Sequence, residues 1–157
     1  MTKSKKVIVV RVLLFKEDSI FLMLRNGKNS QGIGKPQKRW ISPGGVLDEG
    51  ETVQECLLRE TQEEIGITLD TSKLKLIFEK YDPTFNADMV FYSYPYHGEV
   101  IKVLEPEKFD KVKWFKVSEL STVSKKDEHL GVYIEEAANA ALIPVEKSNT
   151  IYHSWTK

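Results

Sequence analysis

Three glutamates, Glu60, Glu63 and Glu64, stand directly behind Arg59, and their spacing is the first sign of chemistry. Glu60 and Glu64 are an i,i+4 pair and Glu60 and Glu63 an i,i+3 pair, so on a helix they are neighbours. At about 100° per residue the three share one arc, overlapping the edge of an apolar face of Val53, Leu57, Leu58, Thr61 and Ile65. Like charges at those spacings destabilise a helix by about 0.2–0.5 kcal/mol per pair. They also lie in the last turn, where the helix dipole already disfavours negative charge. A divalent cation reverses the sign of both effects. Carboxylate oxygens are hard ligands suited to Mg²⁺, with Mn²⁺ the alternative, and no His or Cys cluster competes for zinc. Arg59 can reach Glu63 at i+4 and Glu55 at i−4, and so can orient a carboxylate without neutralising all three. A solvated acidic face is the competing reading of the same residues taken alone.

The elements that must position these side chains follow from pattern. Thr52 with Glu55 three positions on forms a capping box, which predicts a helix starting near Val53, and Gly66 caps its far end. Val7 to Phe15 is an apolar, β-branched run that predicts a nearly buried strand. Residues 16–19 turn it, and Ile20 to Leu24 returns as its hairpin partner. Asn26 to Lys38 holds three glycines and Pro36 and reads as a flexible loop long enough to bind something. Leu74 to Phe78, Met89 to Tyr94 and Val112 to Phe115 are strand candidates, and Val117 to Leu120 one helical turn. Ile134, Ala137, Ala138 and Ala141 give a terminal amphipathic helix that Pro144 closes. These elements predict one mixed sheet flanked by two helices, a single α/β domain over residues 1–157 with its core at about 6–142.

Composition narrows the function. With 41% hydrophobic and 29% charged residues, the chain of 157 residues is globular, not disordered. A formal net charge of +0 argues against a broad nucleic-acid footprint. The charge is segregated, however. Five positive residues and no acid lie from Arg25 to Arg39, and seven acids against one arginine lie from Asp48 to Glu64. Solvated surface segments also show such runs, but this pair suits a polyphosphate and its cation. Cys56, the single cysteine, has no intramolecular partner, which fits a reducing compartment. Arg11 interrupts the N-terminal apolar run and no cleavage site follows it. No stretch approaches a membrane span of about 20 apolar residues. The location expected is cytoplasmic.

From Gly45 to Ile67 the sequence resembles the Nudix box: Gly45, five residues, Glu51, seven residues, then Arg59-Glu60-Thr61-Gln62-Glu63-Glu64-Ile65-Gly66-Ile67. Every charged and glycine position is met. Thr61 stands where an aliphatic residue is usual, and Ser42, in Trp40-Ile41-Ser42-Pro43-Gly44-Gly45, where Leu or Phe is commoner. Glu105-Pro106-Glu107, Lys113-Trp114-Phe115 and Val117-Ser118-Glu119-Leu120 are similar to the late acidic loop, strand and turn of MutT-like nucleotide diphosphatases. The resemblance implies a Nudix-type α/β/α sandwich. It implies Glu60 and Glu64 as principal metal ligands, with the Gly44 carbonyl, and Glu63 as a further ligand or the base. It implies Arg59 orienting the carboxylates and Glu51 supporting Arg59. Arg25, Lys38 and Arg39 would hold phosphate. Glu105, Glu107 and Asp110 are all candidates for the late-loop acid.

The activity implied is Mg²⁺-dependent hydrolysis of a nucleoside triphosphate, modified or not, to the monophosphate and pyrophosphate. Phe85, Phe91, Tyr92 and Tyr94 are candidates for the base platform, although alternation along a strand sends at least half of them to the core. Asn86 and Asp88 are candidates for reading a base edge. His97, His129 and His153 have no ligand spacing. Tyr81 and Pro83 stand in the reverse order to the markers of ADP-ribose and dinucleoside polyphosphate hydrolases. Those substrates, an RNA 5′ triphosphate and a non-hydrolysing nucleotide-binding module are the alternatives. The partner expected is a small nucleotide, with no stable nucleic-acid complex and no membrane; a homodimer is compatible with the sequence.

Overall fold

The computed structural model describes residues 5–27, 38–123 and 128–142. The first strand, β1 (Val7–Lys16), is apolar on both faces because both faces are covered. Val10, Val12 and Leu14 enter one core, and Val9, Leu13 and Phe15 pack against the other. A turn with Glu17 at φ 58° leads to β2 (Ser19–Arg25), and the two strands pair at Phe15↔Ile20 and Lys16↔Ser19. Beyond that turn they part company. β2 takes β3 (Lys38–Ile41) as an antiparallel partner, while β1 takes β4 (Gly44–Val46), with Val10 opposite Gly45 and Arg11 opposite Gly44. The short segment 38–46 is thus wedged between two diverging strands, and the turn at Ser42-Pro43 is fixed from β1 by Val12 N–H donating to the Pro43 carbonyl at 2.9 Å.

The rest of the sheet comprises β5 (Lys75–Asp82), β6 (Ala87–Pro95), β7 (Phe109–Lys116) and β8 (Glu128–Leu130). Its order is β5-β6-β1-β2-β3-β8, with β7 on β2. β1–β6 and β3–β8 are parallel and the other pairings antiparallel, a mixed sheet as expected. α1 (Val53–Ile65) closes the core of Val10, Val12, Leu14, Phe21 and Met23. α2 (Ile134–Ala141) closes the core of Leu13, Ile20, Leu22 and Phe91. Helix, sheet, helix is the α/β/α layering anticipated from the sequence.

Several strands are longer than their apolar runs. β5 continues through Glu79, Lys80, Tyr81 and Asp82 because it is an outer strand paired only with β6; Glu79, Lys80 and Tyr81 face water, and Asp82 is buried, accepting from Tyr133 Oη–H and Thr84 N–H. β7 starts at Phe109, and β6 starts at Ala87 opposite Val7. β8, three residues long, had no run to announce it. The 3₁₀ turn at Val117–Thr122 is where one was expected. Of the expected flexible loop, residues 28–37 lie outside the described residues, as do Pro144, His153 and the C-terminal tail. Lys38 is not loop but the start of β3. Among the described residues no helix is long and apolar enough to cross a membrane.

Candidate active site

α1 carries the site, and both of its ends are pinned. Thr52 Oγ1 accepts from Glu55 N–H at 3.1 Å while Glu55 Oε1 accepts from Thr52 N–H at 2.8 Å, the reciprocal box that satisfies two orphan donors. Gly66 ends the helix at φ 73°, its N–H donating to Gln62 O. The carbonyls of Glu64 and Ile65 accept from Leu104 N–H at 2.9 Å and Lys102 N–H at 3.0 Å. Segment 101–104 is thereby strapped across the end of α1, with Ile101 and Val103 packed on the same core. Glu105 follows directly.

Arg59 organises the outer carboxylates. Its Nε donates to Glu51 Oε2 at 2.6 Å and Nη2 to Glu51 Oε1 at 3.0 Å, a bidentate fork. Nη1 donates to Glu60 Oε1 at 3.0 Å and to Glu63 Oε1 at 3.1 Å, and Asp48 lies 3.3 Å from Nη2. The i−4 partner expected from helix geometry, Glu55, is not used, because its carboxylate is committed to the cap. Glu51 takes its place and also accepts the Asp48 N–H. These bonds, Arg59 first, hold the Glu51 carboxyl down to about 2, and the same pairing raises Arg59.

The three glutamates are graded by depth. Side-chain exposure falls from 52% at Glu63 to 19% at Glu60, and Glu64 is buried at 6%. Glu64 therefore lies within the core face of α1, deeper than the edge position read from the helical arc. Burial pushes its carboxyl up to about 8, against the opposing pull of the Gly44 N–H, which donates to Glu64 Oε1 at 2.9 Å, and of Arg11. Glu60 is also raised, by burial first, with Arg59 opposing and the charges of Glu63 and Glu105 adding. Gly45 makes room: a Cβ there would lie 2.5 Å from the Glu60 carboxyl carbon. At Gly44 a Cβ would meet the Val10 carbonyl oxygen at 2.0 Å. Glycine at 45 lets the turn meet the helix, and glycine at 44 lets it meet β1.

This donor set fits a hard divalent cation. Two desolvated carboxylates lacking enough internal positive charge, beside a glycine-lined turn, are stabilised by one. Among the described residues no three acidic, Cys or His side chains converge as a preformed cation cage. The reason is visible: Arg59 holds one oxygen each of Glu60 and Glu63, and the Gly44 N–H holds one of Glu64.

The late-loop candidates separate in space. Glu105 acts electrostatically on both Glu60 and Glu64 and pairs with Lys108 at 3.1 Å. Asp110 instead pairs with Lys38 at 3.0 Å and accepts from Asn26 Nδ2, and Glu107 offers its backbone carbonyl to the same Asn26. Lys38 is thus drawn to Asp110, whereas Arg25 and Arg39 line a cavity of about 470 Å³ with Arg11, Val9, Met89, Phe85 and Ile134. Of the four aromatic candidates only Phe85 lies there, 55% exposed. Phe91 and Tyr94 are core and Tyr92 packs against it. Asp88 pairs with Lys6, and Asn86 Oδ1 accepts from Tyr81.

The NUDIX domain family model matches residues 5–136. The chain belongs to the Nudix family. Its match to the 8-oxo-dGTP diphosphatase of Proteus vulgaris is 40% identical over 67 residues, 43% of this chain and 55% of that one. Its match to the RNA pyrophosphohydrolase of a Wolbachia strain of Drosophila simulans is 33% over 99 residues, 60% and 54%. The chain spans about half the length of these curated relatives. The MutT protein of Methanosarcina mazei Go1 shares the fold, with a TM-score of 0.67 at 19% identity over 88% of this chain and 94% of that one.

Both departures from the Nudix pattern prove to be buried. Among the described residues Ser42 Oγ and Thr61 Oγ1 find no hydrogen-bond partner, so a hydroxyl stands at two core positions where the pattern places apolar bulk. In the sequence Arg11 is only an interruption of an apolar run. Its Nη1 donates to the Ser42 carbonyl at 2.9 Å, and it faces both the glutamates and the cavity. The signal was present: a lone charge inside a strand covered on both faces needs a reason.

Proposed function

We propose that this Nudix protein is a divalent-cation-dependent hydrolase, with Mg²⁺ as its metal, that cleaves nucleoside triphosphates to the monophosphate and pyrophosphate. The observation that carries the reading is the graded cluster of Glu60, Glu63 and Glu64, ordered by the Arg59–Glu51 fork and adjoining a cavity lined by arginines and Phe85. The names of the matched relatives, an 8-oxo-dGTP diphosphatase and an RNA pyrophosphohydrolase, support phosphoanhydride chemistry. Glu60, Glu64 and the Gly44 carbonyl would hold the cation, with Glu63 beside them. Once bound, the cation supplies charge neutralisation on the phosphate oxygens and lowers the pKa of the attacking water.

The protein's own residues do the rest. Arg59 fixes the rotamers of Glu60 and Glu63, and Glu51 fixes Arg59. Glu105, close to both principal glutamates and held by Lys108, accepts the proton of the attacking water at its carboxylate. Arg25 and Arg39 hold phosphate oxygens; Lys38, engaged with Asp110, does not. A panel of nucleoside triphosphates, ADP-ribose and a 5′-triphosphorylated RNA, assayed with Mg²⁺ for pyrophosphate against orthophosphate, tests the assignment. Pyrophosphate from the triphosphates is expected. Preference for the RNA by more than a hundredfold favours the second reading, an RNA 5′-end pyrophosphohydrolase, which the RNA pyrophosphohydrolase relatives support. Turnover of no substrate in the panel contradicts both.

A further inference from the structure

The cavity, whose wall residue Arg11 also feels the charges of Glu64 and Glu60, has a direction. Val7, Val9 and Arg11 alternate onto it along β1, spanning roughly 13 Å at strand spacing. Val7 lies opposite Ala87 and Val9 opposite Met89, two more residues of the wall, with Phe85 at that end. Arg11 lies opposite Gly44, at the end where the metal-binding turn begins. The polarity therefore runs from apolar at Val7, Ala87 and Phe85 to cationic at Arg11, with Arg25 and Arg39 on the wall.

Arg11 is placed unusually. It is half-buried in the middle of an apolar strand, and burial is the main cause that lowers its pKa. Glu64 and Glu60 favour its charge, whereas Arg25 is near enough to oppose it. A guanidinium carries five N–H donors. Among the described residues the one bond that Arg11 makes is from Nη1 to the Ser42 carbonyl, and no carboxylate lies within ion-pair distance of it. Two neighbouring guanidiniums on a partly dry wall, one with most of its donors unspent, suit a group with several anionic oxygens.

We propose that Arg11 is a specificity-determining residue that, together with Arg25, grips the phosphoryl group remaining on the organic half of the substrate. The outer phosphates lie on the far side of the glutamates, and the nucleoside lies along β1 toward Phe85. The inference rests on the hydrolase reading only for which phosphoryl group is held. It makes the nucleoside monophosphate, the product, a ligand of the protein without any metal.

Calorimetric titration of the metal-free protein with GMP and AMP, and with guanosine and adenosine, tests it in wild type, Arg11→Lys and Arg11→Gln. Gln keeps an amide to donate to Ser42, and Lys keeps the charge. Wild type is expected to bind each monophosphate at least about tenfold more tightly than its nucleoside. In both variants that ratio falls, further in Arg11→Gln than in Arg11→Lys, while the nucleoside affinity and melting temperature stay near wild type. A purely structural Arg11 would weaken nucleoside and nucleotide together and leave the ratio unchanged, which overturns the proposal. If neither variant folds, the wild-type ratio still decides, and a value near one overturns it. Absence of polyphosphate turnover with a falling ratio would sink the hydrolase reading and leave this one standing; turnover with an unmoved ratio does the reverse.

Discussion

Among single residues, Arg59 is the organiser of the carboxylates. It makes a fork to Glu51 and reaches Glu60 and Glu63 with one nitrogen. Lysine has one point charge and cannot make both contacts. Arg59→Lys is therefore expected to lower turnover roughly 10- to 100-fold, the usual cost of losing an outer-shell partner, with little change in melting temperature. Unchanged turnover would show that the glutamates orient themselves. Glu51 gives a test by pH. Its folded pKa, held at about 2 by Arg59, lies below the unfolded 4.5. Its contribution to stability is thus complete above the unfolded value and is lost as pH falls through the folded one. Melting of wild type against Glu51→Gln between pH 5 and pH 2 should show a shallower acid decline in the variant. Parallel curves would contradict the pairing.

At the element scale, two adjacent glycines make a contrast that separates site from scaffold. A Cβ on Gly45 meets the end of a side chain, Glu60, whereas a Cβ on Gly44 meets the backbone of β1 at Val10. Gly45→Ala is expected to fold and to lose activity because Glu60 is pushed aside. Gly44→Ala is expected to destabilise the protein severely, since neither strand can yield. Circular dichroism melts beside activity assays read both, and a fully active Gly45→Ala would place Glu60 outside the site. The capping of α1 is separable again: Thr52→Ala should cost about 1 kcal/mol of stability and leave turnover nearly intact. Much of this helix was legible beforehand. The Thr52–Glu55 box, Gly66 and the box spacing located its ends and its acidic face. The choice of Glu51 over Glu55 as partner to Arg59 was not legible from helix geometry, because it depends on a cap that consumes Glu55 and on the return of the 48–51 turn. Nor was the nearness of Glu105, rather than Glu107 or Asp110, to Glu60 and Glu64: it depends on segment 101–104 bonding to the carbonyls of Glu64 and Ile65.

At the scale of the whole molecule, the layers divide the labour. In the proposed reading α1 and the 44–45 turn would present oxygen ligands and Glu105 the base, while β1, β2, β3, β6 and residues 131–134 wall the cavity. A change on the cavity side should then act on binding and one on the α1 side on chemistry. Phe85→Ala removes an exposed ring, so its stability effect should be small. Stacking on a base is worth about 1–3 kcal/mol, so KM for nucleotides should rise roughly five- to a hundredfold with kcat retained. A fall in kcat at constant KM would contradict the division. The sheet order explains why the grouping of the acids is legible in the sequence and that of the cations is not. The acids share one helix, where spacing is geometry. Arg11, Arg25 and Arg39 come from three strands and meet only because β1 and β2 diverge around residues 38–46.

In the proposed function Glu60 and Glu64 hold a cation that the reaction requires. Gln at position 64 keeps an oxygen for the Gly44 N–H and nearly the same shape, so Glu64→Gln and Glu60→Gln should both fold. Mg²⁺-dependent pyrophosphate release from a nucleoside triphosphate, measured in wild type and in both variants beside their melting temperatures, addresses the claim directly. Release by wild type is expected, and its loss, by about a thousandfold or more, in each folded variant. Full turnover in both would contradict it.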